Sequence, residues 1–412
     1  MRKRIHQFLL LLCIVFFACE KENEGNKAQE NSEVTFICQL PEGIGNGTLS
    51  NLVLTMKDIN TGKEYKSPQN PDGLFCKASV PKGFYNTTLE ADFTYNLDGT
   101  DTRTKVKAYK ESIEVLETSV TAELSLFLQN NKAGFVFAEI FFTGTQTPQG
   151  SHYFADKYFV IYNNSDETLY ADSLAIAESQ FLTAMKEDYR PDIMSQAMAI
   201  QALYMIPGDG KSHPVAPGGS ILICDNALNH TNSNPNSFDL RKADFEWADE
   251  STNPSITDVN NPDVPDLLKI YSSTLTIWSP HNRGYTAFAL LKMGTDKTTY
   301  LTDYTYDYAY NVITMIGEVP MTGSCYRIPN SWIIDAVNLS VKSVFKWIVV
   351  DPSLDQGWTY CGQIDFDDTR YGKSVRRKVL SRSKDGKAIL KDTNNSTVDF
   401  DAEQKADPYH VF

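Results

Sequence analysis

Histidine and cysteine are scarce in this chain and scattered. The six histidines stand at 6, 152, 213, 230, 281 and 410, with no pair at helical spacing. There is no CxxC and no Cys/His group at zinc spacing, which argues against a thiolate metal centre. Also missing are a GxSxG elbow, an HExxH, an SxxK followed by KTG, and a GxxxxGK[ST] phosphate loop. No familiar hydrolase or nucleotide chemistry is therefore expected, and neither a metal nor a cofactor. Basic residues are outnumbered, 38 Lys plus Arg against 52 Asp plus Glu. Phosphate backbones need clustered cations, so nucleic acid is excluded as a partner, and charge attraction to an anionic bilayer is disfavoured. After Phe17 no apolar run approaches the roughly 20 residues that a spanning helix requires.

What is present begins at the start of the chain. Arg2, Lys3 and Arg4 precede an unbroken apolar run from Phe8 to Phe17, followed by Ala18 and Cys19. The run is too short to span a bilayer and fits a removable signal peptide over residues 1–18. An N-terminal anchor helix with an incidental cysteine is the other reading. Phe16-Phe17-Ala18-Cys19 resembles a lipobox, which makes Cys19 the lipidation site. Each buried CH₂ of an acyl chain adds about 0.8 kcal/mol of membrane affinity, so the membrane is a partner through a lipid anchor. Glu20-Lys21-Glu22-Asn23-Glu24 opens a polar tether over residues 19–33. It resembles the acidic export signal that carries Bacteroidetes-type lipoproteins to the outer face of the outer membrane. A plain disordered linker reads the same way, and the two are compatible. Removing residues 1–18 leaves 394 residues, in which 52 acids face 35 bases, a net charge of −17.

From Val34 the pattern is of short strands and turns. Leu52, Leu54 and Met56 alternate with Val53, Thr55 and Lys57, and Asn60-Thr61-Gly62-Lys63 makes a turn. About seven such strands up to residue 130 predict a β-sandwich. Gly73-Leu74-Phe75 followed by Val80-Pro81-Lys82-Gly83-Phe84-Tyr85 resembles transthyretin-like or carboxypeptidase-regulatory-like modules. Asn130 to Gly134 marks the boundary to a second domain over residues 134–412. That domain opens with Phe135 to Phe142, a hydrophobic strand with one acid, Glu139, and continues with Asp156 to Ser165. The order resembles the start of lamin-tail domains, although Phe159-Val160 replaces their acidic centre. Ser179 to Tyr204 reads as the best helical stretch, divided by Pro191. Residues 251 to 265 form a Pro-, Asn- and Asp-rich loop of the kind that is functional or disordered.

Ordered blocks sharpen the resemblance. These are Ile206 to Gly210, Val215 to Ile223, Ala227 to His230, Asn234 to Leu240 and Ala243 to Trp247, then Trp332 to Val337, Ser374 to Lys378 and Asp392 to Ser396. Together they are similar to the Bacteroidetes lipoprotein family known as domain of unknown function 4876. Running from about Phe135 to the C-terminal region, the resemblance implies a secreted lipoprotein with a lamin-tail-like β-sandwich carrying long insertions. The expected fold class is therefore mainly β, an N-terminal transthyretin/Ig-like β-sandwich followed by this larger domain. It also implies association with outer-membrane TonB-dependent uptake systems, and no known activity.

Candidate site residues each carry two readings. Tyr304, Tyr306, Tyr308 and Tyr310 alternate, so on a strand they share a face. Such a face stacks sugars or flat rings, or packs across strands inside a sandwich. Tyr300, Tyr326 and Trp358 would extend it. His230 is either a ligand contact or a turn-capping ring. The acids Asp239, Asp244, Glu246, Asp249 and Glu250 suit calcium in type but not in spacing. Arg376-Arg377-Lys378 either clamps an anion or pairs with acids such as Asp365, Asp367 and Asp368. Asp172-Ser173-Leu174 resembles an O-glycosylation acceptor of exported Bacteroidetes proteins, with Ser173 as the modified residue. Cys38 and Cys76 either pair or remain single buried thiols.

The expected function is a non-enzymatic surface lipoprotein, binding a small-molecule or glycan ligand for a TonB-dependent transporter. A structural or adhesive module is the alternative, and a hydrolase with an unfamiliar site comes third.

Overall fold

The computed structural model describes residues 31–41, 46–97, 100–128, 134–315, 317–383 and 385–412. Cys19, the expected signal peptide and the tether as far as residue 30 lie outside the described residues. The chain is mainly β, as its patterning predicts. The first strand, Asn31–Gln39, begins three residues inside the expected tether. Ser32, Val34, Phe36 and Cys38 all turn inward there.

The first domain is a two-sheet sandwich. One sheet runs Phe75–Pro81, Asn31–Gln39, Ser119–Ser125, the last two parallel. The other runs Glu64–Gln69, Thr48–Asp58, Gly83–Leu97, Thr100–Val115, Phe127–Leu128. Period-two alternation places Leu52, Leu54 and Met56 against Val34, Phe36 and Val80 in the core, while Val53 and Lys57 face outward. Asp58 holds the expected turn by accepting the amides of Asn60 and Thr61, both at 2.8 Å, and Gly62 supplies the positive φ of +71°.

The second domain packs a six-stranded sheet on an eight-stranded one. The six run Phe245–Glu246, Ser220–Cys224, Tyr158–Asn163, Phe135–Phe141, Lys373–Arg377, Phe400–Lys405. The eight run Thr305–Thr314, Gly317–Pro329, Ala197–Met205, Leu174–Ser179, Ala287–Lys292, Ile333–Ser340, Thr359–Tyr360, with Leu268–Ser272 also pairing to Ala197–Met205. Between the layers Phe159 meets Phe288 edge-on at 5.0 Å, beside Trp247 and Trp278. The outer faces are covered too. Insertions carry Ala227, Leu240 and Leu390 onto one sheet and Tyr300, Trp347 and Val349 onto the other. Every residue of Phe135–Phe141 is consequently buried.

The helix expected over Ser179 to Tyr204 is absent. A strand ends at Ser179, an irregular loop follows through Arg190 and Pro191, and Ala197–Met205 is a central strand. Buried on both faces, that strand sends Tyr204 into the inter-sheet core and Ile200 into the outer cluster. An apolar run of this kind has no polar side to reveal its period. Helix among the described residues is confined to Lys297–Asp303, Ser396–Asp399 and three 3₁₀ turns.

A candidate aromatic pocket

The site grows from the hairpin Thr305–Thr314 and Gly317–Pro329. Its register sets Tyr306 opposite Cys325, Tyr308 opposite Gly323 and Tyr310 opposite Met321, so three tyrosines line one face as the alternation predicts. Their rings stack in a row, with centroids 5.5 Å apart between Tyr306 and Tyr308 and 6.1 Å between Tyr308 and Tyr310. Gly323 makes room: a Cβ there would meet the Tyr308 ring at 2.4 Å. Tyr304 does not belong to the strand. It ends the helix Lys297–Asp303 and stacks on Tyr300 at 5.3 Å, beside Trp332 at 5.0 Å.

The loop that replaces the expected helix folds over this face. Phe181 stacks on Tyr189 at 3.6 Å. Tyr189 meets Tyr308 edge-on at 5.7 Å and tilts against Tyr310 at 5.1 Å. Tyr306 donates its hydroxyl to the Pro191 carbonyl at 2.7 Å, and Gln180 donates to the Tyr308 hydroxyl at 3.3 Å. Trp347 closes the assembly, its indole N–H shared between the carbonyls of Leu182 at 2.8 Å and Met185 at 3.0 Å. These contacts enclose a cavity of about 310 Å³ lined by Phe181, Tyr189, Ile193, Met194, Tyr306 and Trp347, with Lys186, Glu187, Asp188 and Asp192 on its charged side. That volume accommodates a single ring or a short alkyl body, at the small end of ligand pockets. Burial pushes the Tyr306 phenol up to about 12, helped by Cys325 and Asp192. Burial also raises Tyr189, with Tyr310 and Glu187 adding to it. Both hydroxyls are thus neutral groups at physiological pH.

The tyrosine face is therefore packed and pocket-forming at once, with Tyr306 lining the cavity and Tyr308 and Tyr310 buttressing its wall. Trp358 takes no part in that row and stacks on Phe345 at 4.3 Å, while Tyr326 packs on Tyr271 at 4.5 Å. Phe181, Tyr189 and Trp347 were not singled out from the sequence. For Phe181 and Tyr189 the one signal is their nearness to Pro191, obscured by the helical reading, and Trp347 stands far from both in sequence.

The remaining candidates resolve into packing. His230 is buried, with Nε2 on the Asn226 carbonyl at 2.8 Å and Nδ1 receiving the Tyr153 hydroxyl at 2.8 Å. Both nitrogens are committed within the protein, so the ring joins two loops and offers neither to a ligand. The acids beyond it are clasps. Glu246 accepts the amides of Ala227 at 2.6 Å and Asn261 at 2.5 Å, and Asp249 accepts Trp278 N at 2.7 Å and pairs with Lys269 at 2.9 Å. Among the described residues no group of three or more His, Cys, Asp or Glu side chains is placed to hold a metal.

Arg376 and Arg377 pair with acids, but not those expected. Arg376 meets Glu139 at 2.8 Å, and Arg377 meets Asp335 at 2.5 Å and Asp392 at 3.3 Å. Ser173 sits half-buried at a positive φ of +62°, beside Asp172, whose carboxylate accepts the amides of Gly210, Ser212 and His213. Cys38 and Cys76 are both buried free thiols.

Residues 216–407 match the family described as "Protein of unknown function (DUF4876)". No curated protein matches the chain. Among solved structures, a DUF4876 family protein from Bacteroides thetaiotaomicron VPI-5482 is 20% identical with a TM-score of 0.54, over 91% of this chain and 96% of that one. The fold is thus shared across nearly the whole length of both. A candidate adhesin from Bacteroides ovatus ATCC 8483 is 8% identical with a TM-score of 0.18, over 71% and 82%. Residues 216–407 are thus similar to the DUF4876 family of proteins of unknown function.

Proposed function

We propose that this protein is a non-enzymatic lipoprotein of the cell exterior. It is held to the outer membrane by lipid at Cys19 and captures a small ligand or glycan for a TonB-dependent transporter. The observation that carries the binding role is the aromatic cavity over the Tyr306–Tyr308–Tyr310 face. Its walls come from a hairpin, a loop and a distant tryptophan that hydrogen bonds tie together. Preformed, mostly apolar hollows with a few polar groups are the usual form of small-molecule sites. The charged n-region, apolar run and Ala18-Cys19 junction support the anchor, and the acidic tether supports export to the outer face.

Thermal-shift screening of the whole mature protein against glycans, haem, iron chelates and other ring-bearing ligands tests the reading. A true ligand raises the melting temperature with concentration, and Ile193→Trp, which fills the cavity, abolishes that rise. A shift unaffected by Ile193→Trp places binding elsewhere and removes the pocket from the proposal. The adhesive reading draws on a different feature, the far end of the same hairpin. There Ile313 is 83% exposed, Met315 follows it in the turn, and Val319 and Met321 are exposed on the hairpin's other face, with Tyr310. Exposed apolar side chains gathered at one tip suit a contact surface. Loss of cell attachment on Ile313→Lys, with ligand shifts intact, would favour that reading.

A further inference from the structure

The charge around the cavity points to what enters it. Four charged side chains border it, and the cation among them is already answered: Lys186 pairs with Glu111 of the first domain at 3.6 Å. Asp188 is likewise taken, by Arg190. Glu187 and Asp192 remain, neither having an ion pair among the described residues. Asp192 accepts only the Met194 amide, at 2.9 Å. Two uncompensated carboxylates therefore border a hollow walled by Phe181, Tyr189, Tyr306 and Trp347. Aromatic faces attract cations through their quadrupole, and the wall displays this already, since the Lys186 ammonium lies 5.6 Å from the Trp347 ring centroid.

Resting on the proposed binding role, we infer that the cavity is selective for an organic cation, a protonated or quaternary amine on a ring or short alkyl body. A neutral sugar would satisfy the rings but leave both carboxylates to water. An inorganic cation would satisfy the carboxylates but bury no apolar surface against four aromatic walls, which would have to replace its tightly held water. A cationic head with apolar substituents uses both, and about 310 Å³ suffices for one such group.

The test uses Trp347 as reporter in fluorescence titrations of the whole mature protein. The probes are choline, its neutral carbon isostere 3,3-dimethylbutan-1-ol, and glucose. Choline is expected to bind at least tenfold tighter than the isostere, and to weaken as salt screens the carboxylates. The double variant Glu187→Gln/Asp192→Asn, both at the pocket border, should lose at least tenfold in choline affinity. It should bind the isostere as before, and that unchanged binding shows that the variant is folded. Equal affinity for choline and isostere, or glucose binding that choline does not match, overturns the charge selectivity and leaves the pocket standing. No response to any probe, by fluorescence or by melting temperature, overturns the selectivity and the binding role together.

Discussion

Arg377 and Asp335 form an ion pair at 2.5 Å in the interior of the second sandwich, with side chains only 1% and 4% exposed. Asp335 also accepts the Phe137 amide at 2.7 Å, and Arg377 donates to the Phe137 and Lys391 carbonyls at 2.8 and 3.0 Å. One pair thus pins three strands and the loop at 391–395. Desolvating two charges offsets most of their attraction, so the pair adds little net stability when intact. Breaking it is another matter, because the surviving charge is left buried.

Arg377→Met is accordingly expected to destabilise by about 3–5 kcal/mol. It strands Asp335 together with Asp392 and Asp399, whose carboxylates lie 3.3 and 4.0 Å from the guanidinium. Replacing both partners, Arg377→Met with Asp335→Leu, should recover much of that loss. Urea unfolding of the two variants checks it, and equal stabilities for the single and double variants would sink the account.

The Gly323–Tyr308 contact makes a second prediction. A Cβ at 323 would overlap the phenol ring at 2.4 Å, so Gly323→Ala forces Tyr308 off its place between Tyr306 and Tyr310. Overpacking of this kind costs about 1–3 kcal/mol. The expected result is a lower melting temperature and weaker ligand binding in the cavity. In a Tyr308→Ala background, already destabilised by loss of the ring, Gly323→Ala should lower the temperature little further, because the clash is gone.

Two buried histidines of the second domain should favour the unfolded chain in mild acid. Burial lowers His152 and His281 to about 4, and in both cases the nearby cation Lys157 contributes. In the unfolded chain a histidine protonates near about 6.5. Between those values the unfolded state binds more protons at these two positions, so the stability they contribute is fully present above about pH 6.5 and is lost as pH drops toward 4, while Asp335, raised to about 7 by burial, works in the opposite sense. His152→Asn and His281→Asn should each flatten that fall, read as urea midpoints at pH 7.5 and 5. An unchanged slope in both variants would contradict the assignment.

How much of this was legible depends on how many faces an element buries. Leu52, Leu54 and Met56 alternate with polar neighbours because their strand has one wet side, and the first sandwich could be read from them. Phe135–Phe141 and Ala197–Met205 have no wet side, so periodicity is silent and the second was misread as helix. Glu139 and Arg376 stand far apart in sequence, and nothing local says that they meet at 2.8 Å. The tyrosine row was visible because Tyr306, Tyr308 and Tyr310 carry their own period. The pocket was not, since Phe181 and Tyr189 reach it from one loop and Trp347 from another far along the chain. His230 illustrates the limit for single residues. Its type allowed a ligand role, and only the bonds to Tyr153 and Asn226 show that both nitrogens are occupied.

The indole N–H of Trp347 leads to the last prediction. It is shared by two carbonyls of the loop that roofs the cavity, Leu182 and Met185. Trp347→Phe keeps an aromatic wall near Tyr189 but removes the donor, leaving the part-buried Met185 carbonyl unpaired and the Leu182 carbonyl with only the Met185 amide at 3.2 Å. An unpaired acceptor costs about 1–3 kcal/mol when no water replaces it. The cost falls on a loop that the indole ties to the segment following Ile333–Ser340, so it should appear as local opening rather than global unfolding. Hydrogen exchange is expected to quicken at the amides of 182–196, while those of Tyr158–Asn163 stay protected. Uniform acceleration across both segments would show that Trp347 supports the whole domain instead of fastening the roof.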